Sequence, residues 1–327
     1  MQILPKKLKA GDEIRVIAPS RSMSIISKES REIANKRFEE LGIKLTFGKH
    51  IEESDEFVSS SIESRIDDLH NAFADKNVKG ILTVIGGFNS NQLLDSIDWD
   101  LIKNNPKILC GYSDITILNN AIFAKTGLVT YYGPHYSTFG QKLYFEYTLD
   151  HFKKCLMETE PIDIKPSDFW SDDAWYIDQE KRNLVKNNGF LKINPGEAEG
   201  QIIGGNIGTF NLIFGSKFMP EIKNTILFLE DDSETRAHHF DRILQSLIYQ
   251  PGFEGVKGIV VGRFQKESKI SDETLKKIFA SKGKLKNIPI IANADFGHTD
   301  PKITFPVGGS AKLFIKEDEM KLEIVEH

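Results

Sequence analysis

Residues 107–132 read Lys107-Ile-Leu-Cys-Gly-Tyr-Ser-Asp-Ile-Thr-Ile-Leu-Asn-Asn-Ala-Ile-Phe-Ala-Lys-Thr-Gly-Leu-Val-Thr-Tyr-Tyr132. Lys107 to Gly111 is short and apolar enough for a buried strand. Ile115 to Lys125 has helical character and is closed by Gly127, and Leu128 to Tyr132 is a second apolar strand. The same alternation appears upstream. Ile14 to Ala18 is a β-branched run that leaves into Pro19-Ser20. Lys28 to Leu41 places Ile33, Ala34, Phe38 and Leu41 on one helical face before Gly42. Ser60 and Glu63 have the spacing of a capping box ahead of Ile62, Ile66, Leu69 and Phe73, and Gly80 to Ile85 is a strand ended by Gly86-Gly87. Strands this apolar, separated by helices, imply a mostly parallel sheet covered on both faces. Ligands collect at the carboxyl ends of such strands, so functional residues are expected just after Ile85 and just after Gly111.

Downstream the rhythm breaks. Residues 161–195 contain Pro161, Pro166, Trp170 and Trp175 with no clean period, as expected of a linker or an active-site loop. Beyond them come a strand at Gly200 to Ile203, a helix over Asn206 to Phe214 and a strand at Thr225 to Leu229. A helix through Phe240, Ile243, Leu244 and Leu247, a strand at Val256 to Val261 and a hairpin of Lys312–Ile315 with Lys321–Val325 complete the pattern. The expected division is therefore α/β throughout: 1–160, a parallel-sheet domain; 161–195, a linker and loop; 196–327, a second α/β domain with a mixed sheet of more antiparallel character.

A length of 327 residues suits two domains, and 40% hydrophobic with 27% charged residues is ordinary for a globular chain. Lys plus Arg is 42 against 47 Asp plus Glu, a net charge of -5, which argues against a partner that is a nucleic-acid polymer. Cys110 and Cys155 make neither a disulfide framework nor a zinc pattern, and a reducing compartment is expected. The N-terminus lacks the apolar stretch of a secretory signal, and no window approaches the ~18 apolar residues of a membrane span. The expected setting is cytoplasmic, with no membrane partner.

Ser113 sits where a strand turns at once into a helix. That suits a nucleophile with backbone N–H groups behind it, and equally an N-cap, since Ile115 stands where the G-x-S-x-G elbow has its second glycine. Gly86-Gly87 brings a backbone N–H to the same region, as an oxyanion hole or simply as a tight turn. Glu230, the first acid of Glu230-Asp-Asp232, emerges directly from an apolar strand. His298 lies in the constrained loop Phe296-Gly-His-Thr-Asp-Pro301. Ser113, Glu230 and His298 supply nucleophile, orienting carboxylate and base, each alternatively a cap, a solvated acid or a structural histidine. His238-His239 invites a metal reading, but neither the spacing nor the ligand count fits zinc. Trp170 and Trp175 could stack on a ring of a ligand or pack against the body. No dinucleotide or triphosphate cradle is present.

Ala18-Pro-Ser20, Gly86-Gly87 with Asn91-Gln-Leu-Leu94, Gly111-Tyr-Ser-Asp114, Gly204-Gly-Asn206, Phe228-Leu-Glu-Asp231 and Gly297-His298 together resemble the ordered motifs of the LD-carboxypeptidase family of serine peptidases. The long segment around Trp170 and Trp175 resembles its microcin-immunity (MccF-like) branch. The resemblance implies a flavodoxin-like N-terminal domain, a C-terminal domain built around a small sheet, a cleft between them and a homodimer. It implies Ser113 as nucleophile, His298 as general base and acid, Glu230 as its partner, and the backbone N–H groups of Gly87 and Asp114 as oxyanion hole, with no metal or cofactor. Trp175 is favoured over Trp170 for stacking on a nucleobase, and Asp231 is the alternative partner for His298. The implied substrate is a small peptide or an aminoacyl or peptidyl nucleotide. The alternatives are removal of terminal D-alanine from murein tetrapeptides, or a non-catalytic binding protein in which Ser113 is only a cap.

Overall fold

Two sheets organise the chain in a computed structural model that describes residues 2–317 and 319–327. The first is built from β1 (Glu13–Ile17), β2 (Lys44–Phe47), β3 (Val78–Thr83), β4 (Ile108–Cys110) and β5 (Thr130–Tyr132), all parallel, in the order β2-β1-β3-β4-β5. That is the flavodoxin-like order, whose ligand crevice lies where the winding reverses between β1 and β3. Helices α1 (Lys28–Glu40), α2 (Ile62–Ala74), α3 (Trp99–Asn104) and α4 (Thr116–Thr126) connect its strands, and α5 (Glu146–Met157) follows β5. The strands read as continuous apolar runs because both faces are covered: Val16, Ile17, Ile81, Leu82, Ile108 and Leu109 are all buried.

The second sheet has the order β6-β16-β15-β10-β11-β12-β13-β9. Its centre, β10 (Gly196–Asn206), β11 (Thr225–Glu230), β12 (Gly258–Gly262) and β13 (Ile290–Ala294), is parallel. Its flanks are antiparallel: β6 (Ile162–Ile164) and β9 (Leu191–Asn194) form the edges, and β15 (Ser310–Ile315) with β16 (Met320–Glu326) is the expected terminal hairpin. Helices α6 (Ile207–Phe210), α7 (Ala237–Ile248) and α8 (Asp272–Ala280) belong to this half. One strand crosses over, since β14 (Phe305–Val307) pairs antiparallel with β5 and ties the two sheets together.

Three expectations change in detail. The cap of α2 is Ser61, whose Oγ accepts from Ser64 N at 3.0 Å, rather than Ser60, which is buried. The helix anticipated over Asn206 to Phe214 is α6 followed by a single 3-10 turn, with Asn206 as its cap. Residues 161–195 are more than a linker: they supply both edge strands of the second sheet and a two-stranded ribbon, β7 (Phe169–Trp170) with β8 (Val185–Lys186). Those edges make the mixed sheet eight strands wide instead of small. Among the described residues no helix is long and apolar enough to cross a membrane.

Candidate active site

The carboxyl ends of β1, β3 and β4 deliver Ser20, Gly86-Gly87 and Ser113 to one place. Ser113 has φ +59°, a conformation that costs a side-chain-bearing residue about 1–3 kcal/mol and persists only where its surroundings enforce it. The surroundings here are polar and specific. The next residue, Asp114, is buried, and its Oδ2 accepts from Ser20 Oγ at 2.6 Å and from Ser90 N at 2.9 Å. Ser90 Oγ donates to the Asp114 carbonyl at 2.7 Å. The Ser113 N–H donates to Tyr132 Oη at 3.3 Å, and its carbonyl accepts from Thr116 Oγ1 at 2.6 Å.

The elbow glycine missing at Ile115 is replaced from the loop that follows the neighbouring strand β3. A Cβ on Gly86 would stand 2.8 Å from Ser113 Cβ and 2.9 Å from its Oγ, so only glycine leaves room for this turn. The Ser113 hydroxyl caps no helix; it faces His298 Nε2 at 3.1 Å. The reading of Ser113 as only an N-cap is overturned, because a 3-10 turn at Ser113–Ile115 separates it from α4.

Glu230 ends β11, paired in register with Asn206 at the end of β10, and its side chain is fully buried. Oε2 accepts from His298 Nδ1 at 2.8 Å and Oε1 from Tyr132 Oη at 2.6 Å. A carboxylate on Nδ1 fixes the proton there and leaves Nε2 as the acceptor facing Ser113. Burial disfavours the charge on Glu230, but the His298 charge and hydrogen bonds from His298 and Tyr132 outweigh it, holding the carboxyl below its ordinary range. Burial likewise works against the His298 imidazolium, yet the Glu230 charge and hydrogen bond prevail and raise its pKa. Asp231 is a different group. Burial and the neighbouring Glu230 push its carboxyl up to about 7, and its Oδ1 accepts from Asn206 Nδ2 at 3.1 Å rather than reaching the imidazole.

His298 is held from two sides. Tyr112 packs edge-on against its ring, centroids 5.4 Å apart. Gly297, at φ +98°, leaves the space that Glu230 fills: a Cβ there would lie 2.3 Å from Glu230 Oε2. Gly297→Ala is therefore expected to displace the carboxylate and to lower kcat by about two orders of magnitude, the usual result of a misplacement near 1 Å. Steady-state kinetics beside a melting curve checks this, since the fold should survive a change confined to one loop.

The remaining expected residues separate. The Gly87 N–H donates to no acceptor among the described residues, the Asp114 N lies 3.5 Å from where a Gly86 Cβ would be, and both residues line a cavity with Ser113. Two lobes of about 640 and 620 Å³ meet at Ser113, sharing Gly87 and Phe88. Trp175 lines the second lobe with His298. Trp170 does not: its ring lies under Arg263 and Lys266, each 5.0 Å from the centroid, so it packs against the body. His238 and His239 are exposed on α7 and join no convergent ligand group; the set whose ligand atoms do converge, among the described residues, is His50, Asp67 and Asp68, on the first domain.

Tyr132 is the participant that the sequence did not reveal, because the last residue of an apolar strand reads as core. Thr116 and Asn206 link the domains behind the site, Asn206 N donating to Thr116 Oγ1 at 3.0 Å.

A hydrogen-bonded Ser–His–Glu chain whose carboxylate is buried, in a cleft that Gly87 and Asp114 also line, suits acyl transfer. The sequence profile of the LD-carboxypeptidase N-terminal domain matches residues 14–133, and that of the C-terminal domain matches residues 199–313. The chain belongs to the LD-carboxypeptidase family. Within it, the Bacillus subtilis protein named "Putative carboxypeptidase YocD" is 53% identical over 94% of each chain. The "Probable murein peptide carboxypeptidase" of the same organism is 31% identical over 98% of this chain and 94% of its own. Among solved structures, an MccF-like protein from Bacillus anthracis superposes with a TM-score of 0.98 at 55% identity, covering 99% and 100% of the two chains. The microcin C7 self-immunity protein MccF in complex with aspartyl sulfamoyl adenosine superposes with a TM-score of 0.89 at 31% identity, covering 99% of each chain. Like its family, this chain is a carboxypeptidase, a hydrolase of the serine-peptidase class.

Proposed function

We propose that this carboxypeptidase cleaves the amide joining an aminoacyl or peptidyl group to a nucleotide-like amine, in the manner of MccF, and so disarms the compound. The observation that carries the reading is Trp175, an aromatic side chain in the lobe that opens from Ser113 and His298, where the departing half of such a substrate would lie. The likeness to MccF bound to an aminoacyl sulfamoyl nucleoside supports it. The reading carries with it a cytoplasmic location and a homodimer.

In the proposed mechanism Ser113 Oγ attacks the amide carbonyl carbon while its proton passes to His298 Nε2. The oxyanion accepts hydrogen bonds from the N–H groups of Gly87 and Asp114, worth about 3 kcal/mol each in related chemistry. The C–N bond breaks as His298 protonates the departing nitrogen, leaving an ester on Ser113. Water then attacks that ester, giving its proton to His298, and the acid leaves as Ser113 Oγ is reprotonated. Glu230 orients the imidazole and stabilises its charged form. Asp231, whose carboxyl sits near neutrality, holds Asn206 instead.

Mass-spectrometric assay of an aspartyl sulfamoyl-adenosine and a murein LD-tetrapeptide side by side tests the reading. The expected result is cleavage of the nucleoside, with Trp175→Ala raising its KM about 10- to 30-fold, as loss of one base stack requires. Cleavage of the tetrapeptide alone, unaffected by Trp175→Ala, assigns the enzyme to murein peptides, the substrate in the name of the Bacillus subtilis relative.

A further inference from the structure

Arg21 is a cation of the Trp175 lobe that no carboxylate accompanies. Of the acids lining that lobe, Asp172 pairs with Lys266 at 3.1 Å, Asp173 with Arg182 at 2.9 Å, and Asp300 with Lys302. Asp232 and Glu234 border both lobes; the Glu234 N–H donates to Asp232 Oδ1 at 2.9 Å, and among the described residues neither carboxylate pairs with Arg21. Among the described residues the Arg21 guanidinium has no ion pair and no hydrogen-bond acceptor, and its Nε is buried without a partner. An orphaned donor on a charged, half-buried group is costly unless a ligand completes it.

The guanidinium is nevertheless held in place. Its Cζ lies over the Phe88 ring, 4.8 Å from the centroid, an attraction between cation and ring that leaves the N–H donors to other partners. Its backbone N–H donates to the Gly86 carbonyl at 3.3 Å. Two adjacent glycines measure its nearness to the chemistry: a Cβ on Gly86 would touch Ser113 Oγ, and a Cβ on Gly87 would lie 3.0 Å from Arg21 Cγ. The stem of Arg21 thus lies beside the glycine pair that flanks the hydroxyl, and its side chain lines the same lobe as Ser113, His298 and Trp175.

We infer that Arg21 anchors an anionic group carried by the leaving half of the substrate, an oxyanion a few bonds beyond the scissile nitrogen. The inference rests on the carboxypeptidase reading and deepens it. Either source of the charge has the same chemistry, a terminal carboxylate on a peptide or the ionised acyl sulfamate or phosphoramidate of a nucleotide. Arg21 offers both a planar fork of donors, and it selects substrates by their charge.

Arg21→Gln and Arg21→Lys are to be assayed on two matched pairs, after melting curves establish that they fold. One pair is an LD-tetrapeptide and its terminal carboxamide; the other is aspartyl sulfamoyl-adenosine and an uncharged amide of an aspartyl aminonucleoside. In whichever pair the wild type cleaves, Arg21→Gln should lower kcat/KM for the charged member about 30-fold, chiefly through KM, and leave the uncharged member within about twofold. Arg21→Lys should recover part of the loss. The pair that responds identifies the source of the charge. Equal losses on charged and uncharged members, or no loss on either, overturn the inference while leaving the enzyme reading intact. A wild type that cleaves neither charged substrate removes that reading and the inference with it.

Discussion

Ser113→Ala is expected to lower kcat by about four to six orders of magnitude while leaving KM and the melting temperature almost unchanged. The size follows from the hydroxyl's position. It forms no cap and no contact with the core that alanine would lose; its hydrogen-bond partner is His298 Nε2 at 3.1 Å. The unusual backbone at φ +59° is imposed by partners of the main chain and of Asp114, all of which survive the substitution. Ser113→Gly separates chemistry from folding more sharply. It should be equally inactive yet no less stable, since glycine tolerates the left-handed conformation that serine adopts at a cost of about 1 kcal/mol or more. A residual rate within tenfold of the wild type in either variant would remove Ser113 from the mechanism.

Glu230→Gln is expected to lower kcat by about three to four orders of magnitude, and Asp231→Asn by less than about tenfold. An amide at position 230 must meet Tyr132 Oη on one atom and His298 Nδ1 on the other. If its NH2 faces the imidazole, Nδ1 becomes the acceptor, the proton moves to Nε2, and the ring can no longer take the Ser113 proton. Asparagine at 231 only fixes the uncharged state that Asp231 already partly adopts, its carboxyl being pushed up to about 7.

The pH profile supplies an independent readout. His298 must be neutral to act as base, and Glu230 raises its pKa, so kcat/KM should fall as the pH drops through a value above the ordinary imidazole value of about 6.5. Removing the carboxylate charge removes that support, and the acid limb of Glu230→Gln should move to lower pH beneath a much lower plateau. An acid limb that stays in place would mean that Glu230 does not set the charge of His298.

The first sheet was legible because each of its strands and helices announces itself locally. The run from Lys107 to Tyr132 carries its own period change and its own stop at Gly127, which is indeed left-handed at φ +78°. Ser113, Glu230 and His298 could be singled out for a related reason: each stands at or just past the end of an apolar strand, where a parallel sheet exposes its ligands. What sequence could not supply were relations across distance. Tyr132 looks like any core tyrosine until β5 is set beside β4 and β11 brings Glu230 to its hydroxyl. Gly86 reads as a turn residue until Ser113 is packed against it. Trp170 and Trp175 are alike in their own segment, and only the arrival of Arg263 and Lys266 from a distant part of the chain separates them. The edge strands within 161–195 are three and four residues of ordinary composition, and their strand character comes from the β16 and β13 edges they pair with.

The most direct measurement is a crystal structure of Ser113→Ala holding uncleaved aspartyl sulfamoyl-adenosine. The expected result places the acyl carbonyl oxygen about 3 Å from the N–H groups of Gly87 and Asp114, with its carbon facing the position of the lost hydroxyl and the adenine against Trp175. An acyl carbonyl turned away from those two amides, with His298 and Glu230 still in contact, would contradict acyl transfer at this site.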